Sequence, residues 1–167
     1  MKAIRTALGC LAFGLAIVGT VEAQTKNDPA ATLQLYLDAV NAADYPKLVD
    51  LLSDDMAPFT YSTCTPQMNA KQCLATFVND TILKRHGSLI VPSYKVNGDV
   101  IIAVIEVRHD VTRAAKIPRM IGVDTITVKN NKIVSFKFEQ YPDDPWNKKL
   151  AAYNAANAAP SATPPAR

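Results

Sequence analysis

A chain of 167 residues, 49% of them hydrophobic, is long and apolar enough to bury the core of one domain. Its 18 basic and 15 acidic residues leave a formal net charge of +3. That balance, with no basic stripe interleaved with aromatics, excludes the usual nucleic-acid binders.

The chain opens on the order of a secretory signal. Lys2 and Arg5 precede an apolar stretch from Ala7 to Val21, and Val21-Glu22-Ala23 supplies small residues for cleavage after Ala23. Residues 1–23 are therefore predicted to be a signal peptide, 24–145 a single domain, and 146–167 an Ala/Pro-rich tail. The apolar stretch is shorter than the about 20 residues of a comfortable membrane span. No stable membrane insertion is expected after processing, a retained anchor being the alternative, and the expected location is periplasmic or secreted. Lys2, Arg5 and Glu22 leave with the signal, so the remaining charges stay nearly balanced.

Asp28-Pro29 caps and opens a first helix, in which Leu33, Tyr36, Leu37 and Val40 form an apolar stripe. Asp44 caps a second, with Leu48, Leu51 and Leu52 on its inner face, and Ser53-Asp54-Asp55 ends it. Phe59 to Ser62 reads as strand-like and leads into Cys64. After processing, Cys64 and Cys73 are the remaining cysteines, and a pair in an exported chain points to a disulfide. Two free thiols or a redox pair are the alternatives, although the spacing is not C-x-x-C. A third helix is predicted from about Asn69 to Leu83, on Leu74, Phe77, Val78, Thr81 and Ile82.

From there the pattern turns to strands. Leu89 to Val96 contains Pro92, which favours an edge or a bulge, and Asn97-Gly98 signals a hairpin. Asp99 to Asp110 is a strand apolar on both faces, and Thr112 to Arg119 is a loop. Ile121–Lys129 and Ile133–Tyr141 make a last hairpin, with Asp124, Ile126, Val128, Phe136 and Phe138 on one face. Lys148 to Ala158 is at most a frayed helix, and the tail as a whole is expected to be largely disordered. The fold class is α+β: three N-terminal helices packed in a strongly curved antiparallel, or mixed, sheet. Such a sheet forms a cone-shaped half-barrel with a pocket at its open end.

The runs Leu33–Asp44, Leu51–Asp55, Tyr94–Val100 and Val123–Val134, in this order and spacing, resemble the nuclear transport factor 2-like superfamily. The resemblance spans about residues 28–141, and is nearest to SnoaL-like polyketide cyclases and ketosteroid isomerases. It implies that Tyr36 stands at the phenol of an oxyanion hole and Asp124 at the protonated carboxylic acid that donates to the same oxygen. Asp124 shares its strand face with Ile126 and Phe136, so desolvation should keep it neutral. The general-base aspartate of ketosteroid isomerases falls at Thr60, whose hydroxyl is far too weak a base to abstract a carbon-bound proton.

Three functions follow as expectations. The first is an exported domain whose cone binds a small, mostly apolar molecule, contacted by Tyr61, Thr60, Phe136, Phe138 and Gln140 around Tyr36 and Asp124. The second is an isomerase, dehydratase or cyclase using Tyr36 and Asp124 as acid donors. The third is a non-catalytic cell-envelope interaction module, with a homodimer through the two-faced strand Val100–Ile105. His86 should cap the third helix. His109 reads as a solvated strand end, or as a base paired with Asp110. Arg113, Lys116 and Arg119 form a solvated loop or draw an anion to the pocket mouth. No metal and no cofactor is expected, because no His, Cys, Asp or Glu cluster has ligand spacing and no glycine loop could cradle phosphate.

Overall fold

The structure, a computed structural model, describes residues 26–157. The signal peptide expected over 1–23 and the end of the tail lie outside them. Helix α1 runs Pro29–Asn41, with the Asp28 carboxylate accepting from the Ala31 N–H at 3.0 Å and proline in its first turn. Helix α2, Tyr45–Leu51, is capped the same way by Asp44. Helix α3, Ala70–Thr81, begins at a reciprocal cap in which Asn69 and Gln72 each bond the other's backbone N–H. A 3-10 turn, Leu83–Arg85, ends at His86 in the left-handed region, φ 48°.

Four strands follow: β1 Ser88–Asn97, β2 Val100–Arg108, β3 Met120–Lys129 and β4 Lys132–Gln140. They pair antiparallel in chain order, so the expected antiparallel sheet is present and it is open. The one parallel feature among the described residues is an isolated bridge between Leu52 and Ile133. Pro92 falls in a register shift between Ile90 and Ser93 of β1, an edge strand, where a missing N–H is tolerated. Gly98, φ 57°, turns the first hairpin, and Asn130 and Asn131, φ 51° and 57°, turn the second.

Alternation along β2 divides the sheet into two faces. Ile101, Ala103, Ile105 and Val107 are buried, whereas Ile102 and Arg108 are exposed. The buried row meets Leu33, Tyr36 and Val40 of α1, Leu48 of α2, and Leu74, Phe77 and Val78 of α3 in one core. Each such aliphatic side chain contributes about 1.5–3 kcal/mol on leaving water. Asn41 clamps α1 to β1 by donating to the Leu89 carbonyl and accepting from its N–H, at 2.9 and 2.8 Å.

Three expectations need correction. Phe59 to Ser62 forms no strand; it lies in an irregular segment, because Phe59 turns in to pack on Phe77 and Phe136 with ring centroids 5.5 and 6.0 Å apart. The loop expected after β2 contains a short helix α4, Asp110–Ala114, started by His109. Among the described residues there are five helices: the three expected before the sheet, α4, and helix α5, Pro145–Asn157, a full helix where at most a frayed one over Lys148 to Ala158 was expected. Asp144 accepts from the Trp146 and Asn147 N–H groups at its start. The buried Asn147 side chain then bonds both backbone groups of Ile121 and the carbonyl of Tyr141, pinning α5 to the start of β3. Leu150 completes the attachment by packing with Ala115 and Ile117. Apolar periodicity across α5 is weak, so the docking rests on these few side chains and is invisible to a search for a stripe.

Candidate functional site

Between the inner face of the sheet and the helices lies a cavity of about 330 Å³. That is the small end of the range for ligand pockets, about 300–1,000 Å³. Its wall is mostly apolar: Phe77 from α3, Leu89 from β1, Ile105 and Val107 from β2, Phe136 and Phe138 from β4. Leu150 and Ala151 of α5 close one side. The aromatic rings support one another, with Tyr61 edge-on to Phe77 at 4.4 Å and Tyr36 tilted against Phe136 at 6.2 Å.

Three buried polar groups belong to this wall, Asp124, Tyr36 and His109. Asp124 stands in mid-strand opposite Ala103 on one side and Phe138 on the other, and is 2% exposed. Its Oδ1 is buried with no hydrogen-bond partner among the described residues. Desolvation pushes its carboxyl up to about 8, so at neutral pH the group is mainly the uncharged acid. Tyr36, from the inner stripe of α1, is equally buried. Burial first, and the nearby Asp124 second, hold its phenol well above the ordinary value. Both groups line the cavity and both carry a proton to donate. An unpartnered carboxyl oxygen in an apolar cavity costs about 1–3 kcal/mol unless something enters to meet it.

Tyr61, Phe136, Phe138 and Gln140 line the cavity with them, whereas Thr60 is exposed and outside the wall. The turn at Tyr61–Cys64 lays the Tyr61 ring, itself 40% exposed, against Phe77, while Thr60 is exposed beside it. The cysteines form the Cys64–Cys73 disulfide, Cα atoms 5.2 Å apart, tying that turn to α3.

His109 is neither a solvated strand end nor a partner of Asp110. It is 5% exposed, lines the cavity, and caps α4 by accepting from the Thr112 N–H on Nδ1 at 3.1 Å. The Thr112 hydroxyl returns the bond to the His109 N–H at 2.9 Å. A backbone N–H can only donate, so Nδ1 is unprotonated and the neutral ring carries its proton on Nε2. Burial first, then the Arg85 charge, lower its pKa and keep it neutral. Asp110 instead pairs with His86 and Arg113, which hold it below the usual carboxylate range; His86 thus binds this acid in place of capping α3. Arg119 is taken by Glu106 and Asp144. The basic loop is therefore largely neutralised. One signal could have placed His109 inside, since it continues the buried odd-numbered row of β2 from Ile101 to Val107. Among the described residues no three His, Cys, Asp or Glu side chains are grouped to hold a metal.

Gly122 shapes the same wall. It faces Gln140 in β4, and a Cβ there would meet the Phe138 ring at 2.5 Å and the Glu139 carbonyl at 2.8 Å. Gly122→Ala should therefore lower stability by about 2 kcal/mol and drive Phe138 into the cavity. Thermal melts and dye binding check this; an unchanged melting temperature would mean that the ring has room to retreat.

No protein-family model matches the sequence, and neither does any curated protein. Solved structures do match. A nuclear transport factor 2-like protein from Cytophaga hutchinsonii has 12% identity and a TM-score of 0.51 over 71% of this chain and 94% of its own. An epoxide hydrolase of M. tuberculosis has 12% identity and a TM-score of 0.52 over 77% and 92%. A computationally designed 17-OHP binder has 17% identity and a TM-score of 0.54 over 71% and 95%. At such identities the likeness concerns the fold, and the fold of this chain is nuclear transport factor 2-like.

Proposed function

We propose that this chain, built on the nuclear transport factor 2-like fold, is an exported binder of a small, mostly apolar molecule that presents a neutral oxygen to Asp124 and Tyr36. One observation carries the reading: the buried Asp124 Oδ1 without a partner, in an apolar cavity of about 330 Å³. An uncharged carboxylic acid and a phenol are donors, so their natural partner is a carbonyl or ether oxygen. The apolar wall supplies affinity and the two donors supply orientation. The disulfide supports an oxidising compartment, as the signal-like start of the chain does. The SnoaL-like and ketosteroid isomerase-like resemblance points to the same cone-shaped pocket, used here for binding.

A second reading, an isomerase, dehydratase or cyclase, is favoured by the same donors, since both would strengthen their bonds to a developing oxyanion. Against it stands the missing base. Thr60 is outside the wall, His109 has its acceptor nitrogen engaged, and among the described residues Asp124 is the one acid lining the cavity.

Displacement of N-phenylnaphthylamine by tetralone and by its parent hydrocarbon tetralin tests the binding reading. Tetralone should bind about tenfold more tightly, a difference abolished in the double variant Tyr36→Phe with Asp124→Leu. Equal binding of ketone and hydrocarbon to the native chain would remove the donor role.

A further inference from the structure

The rim of the cavity differs chemically from its depth. Arg85, on the 3-10 turn after α3, is exposed and lines the cavity. Among the described residues it takes part in no ion pair, whereas several other cations of the chain are engaged. Arg113 is held by Asp110, Arg119 by Glu106 and Asp144, and Lys84 by Asp80. His109 stands in the same wall, close enough for the Arg85 charge to act on it, with Nε2–H as its remaining donor. Both groups can donate and neither can accept. Among the described residues no ionised acid lines the cavity to answer them, because Asp124, the acid in its wall, is mainly uncharged at neutral pH.

We propose that the molecule bound here is an amphiphile carrying an anionic group, a carboxylate, sulfonate or phosphate, which Arg85 holds at the rim with His109 donating beside it. This rests on the ligand-binding reading and narrows it. The guanidinium fork suits two oxygens of one anion, and it keeps its charge at any physiological pH. The His109 donor is fixed in direction by the Thr112 N–H, so it meets the anion without reorganising. The apolar body of the ligand then lies along Phe77, Phe136 and Phe138, and its neutral oxygen reaches Asp124 and Tyr36. An apolar acid with a carbonyl or ether oxygen remote from its charged end offers an acceptor to Arg85 and His109 at one end and to Asp124 and Tyr36 at the other.

Two dyes that share a skeleton and differ in charge test this on the native disulfide-bonded chain. Anilinonaphthalene sulfonate carries the anion and N-phenylnaphthylamine lacks it. The sulfonate should bind the native chain, and Arg85→Gln should weaken it about tenfold while changing the neutral dye less than twofold. Salt at about 0.5 M should weaken the sulfonate with the native chain and leave the variant nearly unaffected, since an exposed guanidinium is screened. If Arg85→Gln leaves the sulfonate unchanged, or lowers both dyes alike, the anion site is overturned and the apolar pocket stands. If neither dye binds the native chain, the ligand-binding reading itself fails.

Discussion

Raising the pH from about 5 to 8 should lower the stability of the unliganded protein by roughly 3–4 kcal/mol, and Asp124→Asn should abolish that loss. The cause is the buried Asp124 carboxyl, which burial lifts from 3.8 to about 8. In the unfolded chain this group loses its proton near pH 4; in the folded chain it keeps it to about pH 8. Between those values the unfolded state binds fewer protons than the folded one, so stability falls as pH rises. The contribution is complete below about pH 4, shrinks through the window, and is fully lost above about pH 8. Asparagine has a similar shape and no charge to desolvate, so its variant should be the more stable of the two at pH 8. Chemical denaturation at four pH values measures the effect. Parallel pH profiles for native and variant chains would show that Asp124 is ionised in the folded state and has no proton to donate. A ligand that accepts from the neutral carboxyl should stabilise the native chain most below about pH 8 and carry the decline on to higher pH, because it adds its own preference for the protonated form.

Opening the Cys64–Cys73 bridge should lower stability by roughly 2–3 kcal/mol, a drop in melting temperature on the order of 10 °C. The bridge spans nine residues, and in the chain-entropy model its worth comes from restricting the unfolded ensemble. Its local consequence in the folded state bears on the pocket. Cys73 is buried in α3, while Cys64 sits in the irregular segment that carries Phe59 and Tyr61. Both rings pack on Phe77, so the crosslink keeps part of the aromatic wall against the helix. The Cys64→Ala, Cys73→Ala double variant should therefore bind N-phenylnaphthylamine more weakly as well as melt earlier. An identical melt with and without reductant would mean that the segment is held by its ring contacts alone.

Much of the local architecture was legible in the residues. Asp28-Pro29, Asp44 and Asn69 start their helices where side-chain oxygens can take up the first N–H groups, a matter of three or four neighbouring residues. Pro92 lands in an edge-strand irregularity because it lacks the N–H a central strand would require. The facing of Asp124 and Phe138, and of Ile126 and Phe136, needs more than alternation about a two-residue turn: the register shifts by one residue between Thr127 and Val128, and that irregularity brings both phenylalanines opposite the Asp124 face. What misled was equally specific. Phe59 to Ser62 has strand-forming composition, but its aromatic side chains are claimed by α3 and β4. His109 is not a usual helix cap, and its reciprocal bond with Thr112 is a contact that propensity does not anticipate. The attachment of α5 hangs on Asn147, one amide among the alanines and asparagines of an unpatterned segment.

Sequence by itself determined the α+β class, the helix starts, the hairpin strands and the cysteine pair, and its family resemblance singled out Tyr36 and Asp124. Tertiary structure decided that these two share one cavity, that Thr60 is outside it, and that Arg85 and His109 stand at its wall. The division has a physical origin. Caps, turns and alternation depend on atoms a few bonds away, so they are written in short stretches of chain. Burial, an orphaned carboxyl oxygen and the pKa it acquires depend on everything packed within several ångströms, and that neighbourhood comes into being when distant segments meet.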